Sequence, residues 1–132
     1  MSVIVSLTVS EGDGKSEEFD FDTSSRCLVG RSADCRIRLP TDSAHADISR
    51  RHCLFEVDPP RIRVRDLGSL NGTFVNEEII GRRWPDQTPE ETVAETYAGR
   101  ELKEGDVVRV GNTRMRVGVL AAEWLPEPVA FR

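Results

Sequence analysis

With 132 residues the chain has room for one domain rather than two. Its 18 Lys and Arg against 23 Asp and Glu give a formal net charge of −5, which argues against a general binder of nucleic acid or anionic membrane, since such proteins rely on excess positive charge to neutralise phosphates. At 38% hydrophobic and 31% charged it has globular composition, and no apolar run approaches the roughly 18 residues needed to span a bilayer.

The dominant hydrophobic period is two. Val3, Val5, Leu7 and Val9 alternate at the start, which lacks a basic n-region and soon turns acidic, so this segment predicts a first strand and not a signal peptide. The same alternation follows at Phe19 and Phe21, Ile37 and Leu39, Ile62 and Val64, Val108 and Val110, and Met115, Val117 and Val119. Turn signals fall between: Glu11-Gly-Asp-Gly, Ser32-Ala-Asp, Asp58-Pro-Pro, Asn71-Gly72, Glu104-Gly-Asp and Gly111-Asn112. Many short strands at this spacing predict an all-β antiparallel sandwich or barrel. Asn71-Gly72, a pair that tolerates positive φ, predicts a tight turn between Asp66-Leu67 and Thr73-Phe74-Val75.

One stretch departs from this period. Thr88 can cap a helix, Pro89 suits its first position, Glu91 completes a capping box and Gly99 can end it. A short helix is therefore predicted near residues 88–98, inside an insert of about 83–100. Residues 1–120 form one domain in this account, and residues 121–132, with two prolines and no period, form a C-terminal arm or the start of a linker. Cys27, Cys35 and Cys53 are odd in number and lack C-x-x-C spacing, which disfavours a disulfide scaffold and a zinc site and predicts reduced, buried thiols in a cytoplasmic protein.

Charge is unevenly distributed. Residues 26–65 hold nine arginines and five acids, while both flanks are acidic; only Lys15 and Lys103 are lysines. Arginine forks suit bidentate recognition of oxyanions. Arg36, Arg38, Arg61, Arg63 and Arg65 alternate with apolar residues and read as the solvent face of strands, whose field could help recruit anionic peptides. Three clusters lie in loops instead: Val29-Gly30-Arg31-Ser32, Ile48-Ser49-Arg50-Arg51-His52, and residues 68–76 with Asn71-Gly72-Thr73.

Gly-Arg, then Ser-Arg-x-His, then Asn-Gly-Thr-Phe-Val-Asn, then Gly-Asp-x-Val-x-Val-Gly, in that order, resembles the forkhead-associated (FHA) domain, a phosphothreonine-binding module. The resemblance implies a β-sandwich of about eleven strands with binding loops at one end. It implies phosphothreonine binding by Arg31, Ser49, Arg50, Leu70 and Asn71, with Gly30, His52, Gly72 and Thr73 supporting the site, and Leu70 contributing only main chain or packing where some relatives carry a polar group. Arg51 either is solvated or reads a residue after the phosphothreonine.

The partner implied is a phosphothreonine-containing protein or peptide, a serine/threonine kinase or its substrate, with no cofactor, no metal, no nucleic acid and no membrane insertion. Modules with such an insert resemble regulatory pieces of bacterial serine/threonine kinases. The alternative is an FHA-fold interaction domain that does not require phosphate. An enzyme is disfavoured: Ser49 and His52 are close in sequence, but no orienting acid or oxyanion hole accompanies them.

Overall fold

The structure, a computed structural model, describes residues 3–11, 14–39, 50–82 and 99–121. The predicted helix near residues 88–98, the loop at 40–49 and the arm from residue 122 lie outside the described residues. Arg100, expected inside the insert, instead opens a strand, because its backbone pairs with Val64.

Eleven strands are described: β1 (Val3–Ser10), β2 (Ser16–Phe21), β3 (Ser25–Gly30), β4 (Ile37–Arg38), β5 (Cys53–Asp58), β6 (Arg61–Asp66), β7 (Thr73–Val75), β8 (Glu78–Gly81), β9 (Arg100–Leu102), β10 (Val107–Val110) and β11 (Thr113–Ala121). They form a six-stranded sheet ordered β2-β1-β11-β10-β7-β8 and a five-stranded sheet ordered β4-β3-β5-β6-β9. The fold is the expected all-β sandwich.

Period-two alternation decides which side chains meet. In the six-stranded sheet Val5 lies between Val119 and Phe21, and Leu7 between Val117 and Phe19. In the five-stranded sheet Phe55 lies between Cys27 and Val64, and Ile62 between Val57 and Leu102. These inward rows form one core that fully buries Val5, Leu7, Phe55, Val64, Val108 and Met115. Each such side chain contributes roughly 1.5–3 kcal/mol relative to exposure. Cys27, Cys35 and Cys53 are free and buried in it, and burial pushes the Cys27 thiol up to about 11.

The outward side of the five-stranded sheet carries a cross-strand row, Arg26, Glu56, Arg63 and Glu101, whose charges alternate. Arg61 pairs with Glu101 at 3.2 Å and Arg65 with Glu56 at 3.5 Å. Hydrogen bonding and charge from Arg61 hold the Glu101 carboxyl below its ordinary value. Arg61, Arg63 and Arg65 of β6 thus have acidic neighbours, and their outward field is largely cancelled, whereas the Arg36 guanidinium lies over the Phe21 ring at 4.6 Å from its centroid. The edges are blunted by acids on β2 (Glu17, Glu18, Asp20) and by the two-residue length of β4.

The register also fixes where the loops go. Val29, Cys53 and Asp66 are one cross-strand row. β3 therefore ends, β5 begins and β6 ends at the same end of the sandwich, so residues 30–32, 50–52 and 67–72 emerge together.

Candidate functional site

Three loops meet at this end through backbone contacts. Ser32 N–H donates to the Arg50 carbonyl at 2.9 Å, and His52 N–H to the Val29 carbonyl at 2.8 Å. Gly30 is what permits the approach: a Cβ there would lie 2.2 Å from the Arg50 carbonyl oxygen and 2.8 Å from its carbon. Gly30→Ala is expected to lose about 1–3 kcal/mol of stability, read as a lower denaturation midpoint, because the clashing atoms are backbone and cannot rotate away. Arg31 and Arg50 follow and precede these contacts, so two guanidinium-bearing residues are anchored on facing loops.

Arg31 is half-buried and Arg50 exposed. Among the described residues neither is in an ion pair, and the buried Nε of Arg31 has no hydrogen-bond partner. Arg51 behaves differently: its guanidinium bonds Asp34 at 2.7 Å. The Asp34 carboxyl is held low by hydrogen bonding from Ser32 first and by Arg51 second. Arg51 therefore ties residues 31–36 to residues 50–52. The thiol of Cys35 adds a weak bond to the Arg50 carbonyl at 3.5 Å.

His52 joins the third loop. It is fully buried, donates Nε2–H to the Gly72 carbonyl at 2.8 Å, and its own carbonyl accepts from Leu67 N–H at 2.9 Å. The expected tight turn at Asn71-Gly72 is corrected here. Gly72 does have positive φ, at 96°, but residues 67–72 cross from one sheet to the other and close no hairpin. A two-residue hairpin turn follows instead at Asn76-Glu77, at φ 50° and 67°, which joins β7 to β8; Pro59-Pro60 and Gly111-Asn112, both within expected turn signals, close the β5–β6 and β10–β11 hairpins.

Asp66 and Ser69, which the sequence reading missed, hold this crossing. Asp66 is 1% exposed; its Oδ2 accepts from Gly68 N–H at 2.9 Å and Ser69 N–H at 3.0 Å, and its Oδ1 accepts from Thr73 Oγ1–H at 2.7 Å and from the Ser69 hydroxyl. Ser69 Oγ accepts in turn from Gly72 N–H at 3.0 Å. A signal was present: an Asp followed two and three residues later by Gly and Ser is the pattern in which a short carboxylate binds nearby backbone. Above this network Leu70 and Asn71 are exposed.

The structure thus brings Gly30, Arg31, Arg50, His52, Leu70, Asn71, Gly72 and Thr73 into one hydrogen-bonded loop cluster, while Ser49 lies outside the described residues. A roomy groove of about 530 Å³, lined by Arg26, Glu56, Arg61 and Glu101 among others, lies instead on the outer face of the five-stranded sheet. Its cations are matched by acids, so convergent donors rather than cavity volume pick out the loop end. Among the described residues no cluster of His, Cys, Asp or Glu could hold a metal, and no helix is long and apolar enough to cross a membrane.

The family model for the FHA domain matches residues 27–111 of this chain. FHA domain-containing protein FhaA of Mycobacterium tuberculosis is 29% identical over 112 residues, 85% of this chain but 17% of FhaA. The glycogen accumulation regulator GarA of Mycolicibacterium smegmatis is 29% identical over 109 residues, 83% of this chain and 55% of GarA. The chain therefore corresponds to a part of each relative. A chain solved for the structural and functional analysis of phosphothreonine-dependent FHA domain interactions superimposes with a TM-score of 0.60 at 27% identity, covering 89% of this chain and 96% of that one.

Proposed function

Because the chain belongs to the FHA domain family, we propose that its loop cluster binds phosphothreonine in a partner protein and that the chain is an interaction module without catalytic activity. The observation that carries this is the pair Arg31 and Arg50, held on facing loops by the close approach at Gly30 and in no ion pair among the described residues. A phosphothreonine carries about −1.5 to −2 charges and three acceptor oxygens, so it suits donors fixed before it arrives. Arg31 supplies a fork to the phosphate and Arg50 a second cation; Ser49 contributes a hydroxyl. Asn71 offers an amide donor and acceptor to the peptide main chain. His52, Gly30, Gly72 and Thr73 hold the loops, together with Asp66 and Ser69.

Residues 1–120 constitute the domain in this proposal, and the partner is a serine/threonine kinase or one of its substrates. The net charge of −5 fits the role: a few placed donors hold one phosphate while the acidic surface repels polyanions in general. The test is an oriented peptide library presented once with phosphothreonine and once with threonine at the fixed position. The domain should retain sequences from the first and none from the second. Equal retention would favour an interaction domain that ignores phosphate.

A further inference from the structure

The outer face of the five-stranded sheet takes no part in the loop cluster, and its charges have an order. Across β3, β5, β6 and β9 one cross-strand row reads Arg26, Glu56, Arg63, Glu101, alternately positive and negative. Two residues further from the loops Asp58 is paired with Arg61, and two residues nearer to them Leu54 is paired with Arg65. Side chains two apart on a strand share a face, so all of these belong to the outer one. Arg26 and Arg63 are exposed and form no ion pair among the described residues. The groove of about 530 Å³ runs along these rows and gives the long side chains of a second copy room to enter.

The four-residue row changes every sign when it is reversed. A second copy turned over about a two-fold axis that runs along the strands, between β5 and β6, therefore sets Arg26 against the partner's Glu101 and Glu56 against the partner's Arg63. The same axis sets Asp58 against the partner's Arg61, and Leu54 against the aliphatic stem of the partner's Arg65. Each contact occurs twice by symmetry. The alternative axis, along the row, opposes each charge to its own like and is repulsive. Sheets packed face to face keep their strand directions within about 30°, which an axis along the strands satisfies.

We propose that this face joins two copies of the chain in a weak, reversible dimer with that two-fold axis. Arg61 already pairs with Glu101 and Arg65 with Glu56 within one chain, so the second copy extends each pair into a network, the setting in which exposed ion pairs contribute. The rows hold four arginines and three acids, so the acidic remainder of each copy lies away from the contact. Four strands about 4.8 Å apart and three rows about 6.7 Å apart make a face roughly 15–20 Å on a side, which belongs with small, transient interfaces. Because the axis follows the strands, both loop clusters lie at one end of the pair. On the phosphothreonine reading, the pair offers two sites to a partner carrying two phosphothreonines, and the second binds at raised effective concentration.

Sedimentation of the full chain without peptide tests the contact independently of phosphate recognition. At low ionic strength the mass should rise from the monomer's 14.8 kDa toward twice that value as the concentration is raised, over a range of about 10 µM to 1 mM. Glu56→Arg and Arg63→Glu should each weaken self-association at least about tenfold, because each opposes like charges at both symmetric contacts. An equal mixture of the two variants should recover it, since the two substitutions face each other across the axis; a defect in folding is not repaired in this way. Arg26→Cys and Glu101→Cys leave the central pair intact, and a short bismaleimide should join their mixture and neither variant alone, the native thiols being buried. A chain that stays monomeric at about 1 mM, self-association that survives both reversals, or a mixture that fails to recover it would overturn the dimer while leaving phosphate recognition standing.

Discussion

Asp66→Ala is expected to lower the unfolding free energy by about 3–4 kcal/mol, because it leaves two backbone N–H groups and two hydroxyls inside the protein without their acceptor. Those four donors belong to Gly68, Ser69 and Thr73, and all lie in or next to the crossing from β6 to β7. Chemical denaturation should show a lower midpoint with an unchanged slope. Asp66→Asn separates packing from hydrogen bonding: the amide oxygen can still accept both backbone donors, and the Nδ2 can donate to the hydroxyls, so a loss of about 1 kcal/mol is expected. If Asp66→Ala were as stable as the parent, the crossing beneath Leu70 and Asn71 would not depend on this carboxylate.

Arg31→Ala has the opposite profile. Charge-assisted hydrogen bonds contribute roughly 1.5–3 kcal/mol each, so loss of the forked pair should weaken phosphopeptide binding by at least about 100-fold. Stability should change little or rise slightly, because among the described residues the buried Nε has no partner to be left unpaired when it is removed. Arg31→Lys keeps the charge and loses the fork, and an intermediate loss of about tenfold is expected. Together with Asp66 this divides the cluster into a residue that holds the loops and a residue that serves the ligand. Titration calorimetry and denaturation on the same samples would show whether the two effects separate.

Much of this architecture was legible in the sequence, because period-two alternation reports directly which side chains point inward. Val5, Leu7, Val64 and Val117 were all named by alternation and all are buried. The loop clusters were legible through motif order. What alternation cannot reveal is pairing between distant segments. Asn71-Gly72 has the composition of a hairpin turn, yet it lies on a crossing between sheets, because Asp66 belongs to one sheet and Thr73 to the other. The hairpin turn that follows β7, Asn76-Glu77, lacks the glycine that marks the β10–β11 turn at Gly111-Asn112; its hold comes from Asn76, whose backbone N–H donates to the Val107 carbonyl at 2.8 Å and whose side chain bonds Val107 N–H and Asp106. Arg51 was ambiguous between solvent and ligand, and its tie to Asp34 was hidden because the two are 17 residues apart. Asp66 was hidden for a different reason. A carboxylate at a strand end looks solvated until the loop folds back over it.

The most direct measurement is a paired titration of one library-selected peptide carrying threonine or phosphothreonine at the fixed position. The account predicts that the phosphothreonine form binds at least about 100-fold tighter, through two or more charge-assisted contacts, and that Arg31→Ala removes most of that difference. Equal affinities for the two peptides, or a difference that persists without Arg31, would contradict it.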